Sequence, residues 1–216
     1  MEHEQDLRRS LVQFCREIGL SLTDHMVAQF MRYLSLLTHW NKKINLTSIT
    51  EPEEILIKHF VDSLLSLVVI EFQQHAKILD IGSGPGFPGM PLKIVRSDLH
   101  LSIVEPGQKK CSFLTTLTGE LRLTHIDLFN GTLKQYGRSF SASRFDIVTL
   151  RALRFDAVRE DILPLLQPDG IVILYRTAKI KQDQVNEDWT VLSEGVYKLP
   201  LHAGTRVISV LKKVAA

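Results

Sequence analysis

The sequence predicts an α/β protein in which a mostly parallel sheet carries helices on both faces. Short apolar strands alternate with helical segments from Lys77 onward, and this rhythm is typical of parallel strands joined by crossover helices. Residues 1–75 show helical periodicity only. The last two predicted strands are joined by a loop too short for a crossover helix, so they should pair antiparallel. We therefore expect a helical N-terminal extension, residues 1–75, packed on an α/β domain, residues 76–216.

Three helices are expected in the extension. Leu11, Phe14, Cys15 and Ile18 follow helical spacing, and Gly19 is a suitable stop. Ser21 or Thr23 can cap a second helix, whose apolar stripe is Val27, Phe30, Leu34 and Leu37. Residues 41–50 form a polar connection. The sequence Thr50-Glu-Pro-Glu53 matches a capping box, which predicts a third helix to about Val69.

The α/β part divides into segments of two kinds. The strands are predicted at 77–81, 99–104, 126–129, 145–150, 171–175, 196–200 and 206–212. The helices are predicted at 88–96, 107–120, 155–166 and 179–190.

The composition is that of a globular protein, and the charge is distributed unevenly along the chain. The chain has 216 residues, of which 44% are hydrophobic and 23% are charged, ordinary values for a globular protein. Residues 1–76 carry 7 Lys/Arg against 10 Asp/Glu, and residues 77–216 carry 19 against 14. The excess of basic residues in the second part therefore favours a polyanionic partner.

The cellular compartment is predicted from cysteine usage and hydropathy. Only Cys15 and Cys111 are present, without a pairing or metal-ligand pattern, so we expect a reducing compartment and no metal site. The first residues lack the apolar core of a secretory signal, and no apolar stretch is long enough to span a membrane. The sequence predicts a cytoplasmic protein with no membrane partner.

A glycine-rich loop stands where the first strand should turn into a helix, the position at which open α/β sheets bind cofactors. The loop contains Gly82, Gly84, Gly86 and Gly89, and from Gly84 its spacing also satisfies the dinucleotide fingerprint G-x-G-x-x-G. S-adenosylmethionine and NAD therefore compete as cofactors. A structural turn without any cofactor is the third interpretation.

Two acidic residues and the end of the chain bear on this choice. Asp80 precedes the first glycine by two residues, and its carboxylate can orient the loop and the cationic amino-acid end of S-adenosylmethionine, whereas it would repel a pyrophosphate. Glu105 ends the second strand and can accept both ribose hydroxyls, which suits either cofactor. The closing antiparallel hairpin is typical of the seven-stranded methyltransferase sheet. Together these features favour S-adenosylmethionine and a Rossmann-like class I methyltransferase fold.

Three motifs stand in register along the chain: Trp40–Thr47 (WNKKINLT), Lys58–Ser63 (KHFVDS) and Asp80–Pro91 (DIGSGPGFPGMP). Together they resemble the RsmG (GidB) family, bacterial enzymes that make 7-methylguanosine in 16S ribosomal RNA. Shorter matches are Lys109–Leu114, Glu120–Leu123, Phe145-Asp146 and Arg151-Ala152, so that the resemblance covers roughly residues 30–176.

The resemblance implies which residues contact S-adenosylmethionine. Gly82 and Phe87 would touch it in the glycine loop, Glu105 would hold its ribose, Leu133 and Lys134 would flank its adenine, and Arg151 would lie beside it. The sequence departs from the family at two places. Thr132-Leu-Lys-Gln135 stands where the family commonly has Arg, a small or apolar residue and then Glu-Glu. Arg176-Thr177 stands where the family commonly has Lys-Gly.

Substrate contacts are expected from the third helix and from basic residues. His59, Asp62 and Ser63 share one face of that helix, and they either pack as a polar face beside the cofactor or touch the substrate. A hydrolase triad is disfavoured because no nucleophile elbow accompanies them. Arg151 and Arg176 follow predicted strands and can bind RNA phosphate, and Lys42 is a further candidate.

The reaction that the resemblance implies needs no general base, because guanine N7 carries a lone pair and no proton. We therefore assign no catalytic acid or base, and orientation of the two reactants is the expected contribution of the protein. The expected substrate is 16S ribosomal RNA, within the small ribosomal subunit or an assembly precursor. An NAD-linked oxidoreductase and a non-catalytic, ribosome-associated module that binds S-adenosylmethionine are the alternatives.

Overall fold

A computed structural model describes residues 2–214, which form a seven-stranded sheet with helices on both faces. The strands are β1 (Lys77–Ile81), β2 (His100–Glu105), β3 (Ile126–Asn130), β4 (Phe145–Arg151), β5 (Leu166–Arg176), β6 (Trp189–Lys198) and β7 (Thr205–Lys213). Their order across the sheet is β3-β2-β1-β4-β5-β7-β6. The first five run parallel, and β7 pairs antiparallel with both β5 and β6. The predicted α/β class and the closing antiparallel hairpin are confirmed.

The helices before the sheet are α1 (Glu2–Glu17), α2 (Asp24–Asn41) and the helical segment 52–69. That segment consists of α3 (Pro52–Ile55), a π-helical turn (Leu56–Val61), α4 (Asp62–Leu64) and α5 (Ser66–Val69). The helices within the α/β part are α6 (Gly89–Val95), α7 (Gln108–Glu120), α8 (Leu133–Ser139) and α9 (Arg159–Ile162).

Two hydrophobic clusters cover the two faces of the sheet. The larger cluster joins the N-terminal helices to α6, α7 and one face of the strands, with Phe30, Phe60 and Phe113 among its fully buried residues. The smaller cluster lies on the other face beneath α8 and α9 and includes Phe155 and Trp189. The N-terminal helices thus bury their apolar stripes against the sheet, which places the polar face of segment 52–69 beside the strand ends.

The beginnings of the second and third helices differ in how well the sequence predicted them. Thr23 caps α2 by accepting a hydrogen bond from the N–H of Met26, as expected. The expected cap at Thr50 is wrong, because α3 begins at Pro52 with Glu51 at the N-cap position and no side-chain cap. Proline supplies no N–H at that position, so one donor of the first turn needs no cap.

The two predicted helices after β4 are also corrected. The segment 155–166 is broken into a 3₁₀ turn, the four-residue α9 and a second 3₁₀ turn, because Pro164 interrupts it and β5 begins at Leu166. The segment 179–190 contains a 3₁₀ turn, Gln182–Gln184, and its last two residues already belong to β6, which begins before the predicted start of that strand at 196. Side chains bind its backbone instead: Glu194 accepts from the N–H of Ile180, and Gln184 accepts from that of Lys181.

No helix within residues 2–214 is both long enough and apolar enough to cross a membrane.

Candidate active site

The glycine loop connects β1 to α6 at the carboxyl edge of the sheet. Gly82, Gly84 and Gly86 have positive φ angles of 67°, 60° and 108°, which side chains other than glycine rarely adopt. A β-carbon at Gly86 would lie 2.6 Å from Met90 Cγ and 2.7 Å from Tyr33 Oη, whereas one at Gly84 would meet nothing within 4 Å. Gly86 is therefore required by packing, and Gly84 borders the open space in which a ligand can approach the backbone.

The buried side chain of Asp80 is hydrogen-bonded to the end of this loop. Its carboxylate is fully buried and accepts hydrogen bonds from the N–H of Gly89 at 2.9 Å and from Thr149 Oγ1 at 2.8 Å. Burial raises the pKa of this carboxyl to about 7, although its hydrogen bonds and the charge of Arg151 act in the opposite direction. Asp80 thus orients the start of α6 against β4, while direct contact with a cofactor stays a prediction.

Glu105 lies at the end of β2 and is hydrogen-bonded to the backbone of the loop. Its two carboxylate oxygens accept hydrogen bonds from the N–H groups of Gly84 and Gly107, each at 2.8 Å, and the residue is only 3% exposed. The carbonyl of Glu105 accepts from the N–H of Gly131, which brings the start of α8 alongside. A fixed acceptor next to Gly84 fits the predicted role of Glu105 in holding a ribose.

Thr132 and Gln135, the first and last of the four residues that the resemblance marks as departures, form a capping box. Thr132 Oγ1 accepts from the N–H of Gln135, and Gln135 Oε1 accepts from the N–H of Thr132. The spacing of a threonine three residues before a glutamine predicts this arrangement, but the sequence analysis did not use it. Leu133 is buried and Lys134 is exposed, so the two predicted adenine neighbours face different surroundings.

The π-helical turn brings His59, Asp62 and Ser63 to Arg151 at the end of β4. Arg151 Nη2 donates to the carbonyl of Lys58 at 2.6 Å and to His59 Nδ1 at 3.0 Å, and Arg151 Nη1 lies 3.5 Å from Ser63 Oγ. Asp62 Oδ2 is 3.2 Å from Arg151 Nη2, an ion pair outside hydrogen-bond geometry. His59, Asp62 and Ser63, which the sequence predicted on one helix face, therefore form one cluster with Arg151, which it predicted separately.

His59 has both ring nitrogens engaged. Because Nδ1 accepts from Arg151, the proton is on Nε2, which donates to Thr47 Oγ1 at 2.8 Å. Burial and the positive charge of Arg151 lower the pKa of His59 to about 3. The imidazole is therefore neutral near pH 7.

Arg206 and Tyr33 belong to this cluster, although sequence reasoning missed both. Arg206 Nε on β7 lies 2.5 Å from Asp62 Oδ1, so the fully buried carboxylate has two arginine partners. Tyr33 on α2 donates to the carbonyl of Pro85 at 2.5 Å and stacks on Phe87 at 5.5 Å. Tyr33 lies next to the apolar stripe of the second predicted helix, so the pattern indicates a packing residue. Nothing in the sequence near Arg206 indicated that it pairs with Asp62.

Phe87 joins the glycine loop to the helical segment. Its ring stacks on His59 with a centroid distance of 4.4 Å, and Arg151 Cζ lies 5.6 Å from the centroid of the Phe87 ring. The ring is 5% exposed, so it is committed mainly to packing, and its contact with a cofactor stays a prediction.

The remaining predicted residues lie outside the cluster. Lys42 is exposed at the end of α2, beside the loop that carries Thr47. Arg176 ends β5 and donates to the carbonyl of Ala178 and to Gln184 Oε1 at 2.7 Å, so it braces the loop after β5. Within residues 2–214 no three His, Cys, Asp or Glu side chains are grouped to hold a metal ion.

The donors and acceptors at this edge fit a cationic adenosyl cofactor. Two buried acidic residues, Asp80 and Glu105, flank the loop, and an ionised Asp80 would repel a pyrophosphate. Gly84 leaves room for a ligand, and Glu105 presents acceptors next to it. The strand order and this site define a class I methyltransferase, whose methyl donor is S-adenosylmethionine.

The comparison of sequences gives the particular family. Residues 26–208 match the GidB family, described as rRNA small subunit methyltransferase G. A relative of that name from Geobacillus sp. is 38% identical over 208 residues, which cover 92% of this chain and 87% of the relative. The Bacillus subtilis relative is 34% identical over 207 residues, with the same coverage. The chain therefore belongs to the rRNA small subunit methyltransferase G family, as the sequence motifs predicted.

Solved structures of lower sequence identity agree with the fold. A variant of MtNAS in complex with S-adenosylmethionine has a TM-score of 0.61 and 15% identity, over 88% of this chain and 79% of that one. TrmN from Thermus thermophilus has a TM-score of 0.60 and 14% identity, over 74% of this chain and 53% of that one. These similarities confirm the predicted class I methyltransferase fold.

Proposed function

We propose that this chain transfers a methyl group from S-adenosylmethionine to N7 of a guanine in 16S ribosomal RNA. The match of residues 26–208 to the rRNA small subunit methyltransferase G family is the observation that carries the proposal. When bound, S-adenosylmethionine supplies an electrophilic methyl group on a sulfonium. Guanine N7 offers an in-plane lone pair and carries no proton, so no side chain has to remove one.

The state of the polar side chains is consistent with this reaction. His59 is neutral, but its lone pair on Nδ1 is taken by Arg151 and its other nitrogen carries the proton. Asp80 is fully buried and holds the N–H of Gly89 and the hydroxyl of Thr149. Neither group is free to accept a proton from a substrate, so the contribution of these residues is orientation of the reactants.

We assign a positioning role to Asp62 and Ser63 and a contact role to Arg151. Asp62 and Ser63 are fully buried, so their influence on substrate passes through the guanidinium that they hold. Arg151 lies at the carboxyl end of β4, the sheet edge that carries the glycine loop, and its position suits an RNA phosphate or the cofactor carboxylate. Gly82, Gly84, Gly86, Phe87, Glu105, Leu133 and Lys134 are proposed to line the cofactor site, with Asp80 beneath them.

The RNA partner is proposed to be the small ribosomal subunit or an assembly precursor, and the working compartment the cytoplasm. The A-form major groove is closed to side chains, so N7 has to be reached in a loop or an unstacked nucleotide. Arg176 and Lys42 are proposed as additional RNA contacts.

The proposal is tested by incubating the chain with labelled S-adenosylmethionine and small subunits from cells that lack their own enzyme of this family. Digestion of the 16S RNA to nucleosides should recover the label in 7-methylguanosine. Label in another nucleoside would overturn the N7 assignment, and the absence of label with intact S-adenosylmethionine binding would overturn the substrate.

A further inference from the structure

The segment Trp40–Thr47 joins the end of α2 to the candidate active site. Asn41 is the last residue of α2, and its side chain closes the loop that follows. Asn41 Oδ1 accepts hydrogen bonds from the N–H groups of Leu46 at 2.8 Å and Thr47 at 3.0 Å, and Asn41 Nδ2 donates to the carbonyl of Thr47 at 2.9 Å. Both backbone polar groups of Thr47 are therefore bound to one side chain, which fixes the place of this residue.

The side chain of Thr47 reaches the cluster around Arg151. Its hydroxyl oxygen accepts from the N–H of Ile49 at 3.1 Å and lies 2.8 Å from His59 Nε2. The other ring nitrogen of His59 contacts the guanidinium of Arg151 at 3.0 Å. A continuous series of hydrogen bonds thus runs from Asn41 at the end of α2 to Arg151 at the end of β4.

The direction of each hydrogen bond in this series follows from Arg151. An arginine side chain is always charged and can only donate, so His59 Nδ1 has to accept and the ring proton has to be on Nε2. Thr47 Oγ1 accepts that proton, since it lies 2.8 Å from Nε2. In the other tautomer, with the proton on Nδ1, two donors would face each other at 3.0 Å. The hydroxyl oxygen of Thr47 therefore favours the tautomer of His59 that can hold Arg151.

Burial makes this series sensitive to the loss of one member. His59 is 8% exposed, and the side chain of Arg151 is 14% exposed. A buried N–H without an acceptor is costly, so the loss of the hydroxyl at Thr47 favours a ring that has rotated or moved its proton to Nδ1. Either change withdraws the lone pair of Nδ1 from Arg151. The guanidinium then keeps the carbonyl of Lys58 but loses the partner that fixes its orientation from the side of the ring.

We propose that Asn41 and Thr47 are positioning residues for methyl transfer. They act through the imidazole of His59 on the guanidinium of Arg151, and neither of them touches the substrate or the cofactor. Asn41 holds Thr47 in place, and Thr47 keeps the ring proton on Nε2, so that Nδ1 presents its lone pair to the guanidinium. This role rests on the contact role proposed for Arg151, because a group is positioned for the reaction only if it takes part in it.

Nitrogen-15 NMR of the histidine rings gives the first test, because it distinguishes the two neutral tautomers from each other and from the charged ring. The signals of His59 are assigned by their loss in His59→Asn. At pH 7 the native ring should be neutral with its proton on Nε2, and Thr47→Val should show a mixture of both tautomers. A native ring that is charged or protonated on Nδ1 would overturn the proposal, and so would an unchanged single tautomer in Thr47→Val.

Methyl transfer to small subunits gives the second test. At saturating S-adenosylmethionine, Thr47→Val should lower the single-turnover rate about tenfold, the effect of one lost hydrogen bond on a positioned group, and Asn41→Ala should lower it at least as much. Thr47→Ser, which restores the hydroxyl, should recover most of the rate. In an Arg151→Gln background, Thr47→Val should have no further effect, because the guanidinium that it positions is gone.

Thr38→Val is the matched control, because it removes a hydroxyl that binds carbonyls of its own helix, those of Leu34 and Ser35. It should keep the native rate. An equal loss in Thr38→Val or in Thr47→Ser would overturn the proposal. A slow Arg151→Gln beside a native rate in Thr47→Val would overturn the positioning role alone, whereas a native rate in Arg151→Gln would overturn the proposed contact role with it, so the two failures are distinguishable.

Discussion

Asp62 and Arg151 meet across the junction between the helical segment and the sheet, with 3.2 Å between Asp62 Oδ2 and Arg151 Nη2. Asp62 follows the π-helical turn, and Arg151 ends β4. The same guanidinium binds the carbonyl of Lys58 and the ring of His59, so a helical segment near the start of the chain orients a cation at the carboxyl edge of the sheet. The N-terminal helices are therefore part of the candidate active site as well as of the hydrophobic core.

Arg206 should be needed for the stability of this junction. Removing one cation by Arg206→Gln leaves a fully buried carboxylate with a single charged partner, and a loss of about 3 kcal/mol in the free energy of unfolding is expected. Urea denaturation measures the loss. Arg154→Gln, which removes a surface arginine paired with Asp156, is the control and should unfold like the native chain. A native-like Arg206→Gln would show that Asp62 does not depend on its second arginine.

Two glycines of the same loop should respond differently to alanine. Gly84→Ala introduces a β-carbon with nothing within 4 Å, so only the positive φ opposes it, at a cost of about 1 kcal/mol. Gly86→Ala adds collisions with Met90 and Tyr33 and should destabilise the protein by at least twice that amount. Thermal unfolding compares the pair. Gly137→Ala, within α8 and without neighbours, should be neutral or stabilising, and equal losses at Gly84 and Gly86 would contradict the packing argument.

The sequence predicted the sheet and the glycine loop better than it predicted the helices after β4. Parallel strands are marked by continuous apolar runs, and the loop by glycines whose positive φ angles no other residue adopts easily. The predicted helix 179–190 failed because Glu194 and Gln184, at positions no periodicity reveals, bind its backbone.

Side-chain contacts within the site were predictable only in part. His59, Asp62 and Ser63 could be placed on one helix face from their spacing, but their partners Arg151 and Arg206 are distant in the chain. A local pattern cannot indicate such partners, because they are set by the order of the strands. The boundary between residues 1–75 and 76–216 stays a prediction.

His59 and Asp80 should act on stability in opposite directions over the same pH interval. The pKa of His59 is lowered to about 3, so its contribution is complete above about pH 6.5 and is lost as the pH falls toward 3. The pKa of Asp80 is raised to about 7, so its contribution is complete below about pH 4 and is lost as the pH rises through 7.

Removing the histidine should expose the effect of Asp80. As the pH rises from 4 to 6.5, the free energy of unfolding of His59→Asn should fall more steeply than that of the native chain. Urea denaturation at several pH values measures both profiles. The variant is compared with His25→Asn, which removes an exposed histidine on α2. Parallel pH profiles for His59→Asn and the native chain would show that His59 is not held neutral by the fold.

Lys134→Glu should keep or strengthen the binding of S-adenosylmethionine. The resemblance to the family implies an acid at this position. Lys134 is exposed at the start of α8, and in the proposed cofactor site its charge would oppose the sulfonium. Isothermal titration measures the affinity, with Lys213→Glu at the end of β7 as a control for the change in net charge. A large loss of affinity confined to Lys134→Glu would give this lysine a binding role of its own.

The claim that Asp62 acts through Arg151 is tested most directly by a double-mutant cycle on the single-turnover rate of methyl transfer to small subunits. Asp62→Asn, Arg151→Gln and the combined variant are compared with the native chain at saturating S-adenosylmethionine. The account predicts that the combined variant is no slower than Arg151→Gln alone, because Asp62 influences the substrate through Arg151, whereas its contact with Arg206 serves the stability of the junction. Independent losses, whose fold-changes multiply in the combined variant, would contradict it.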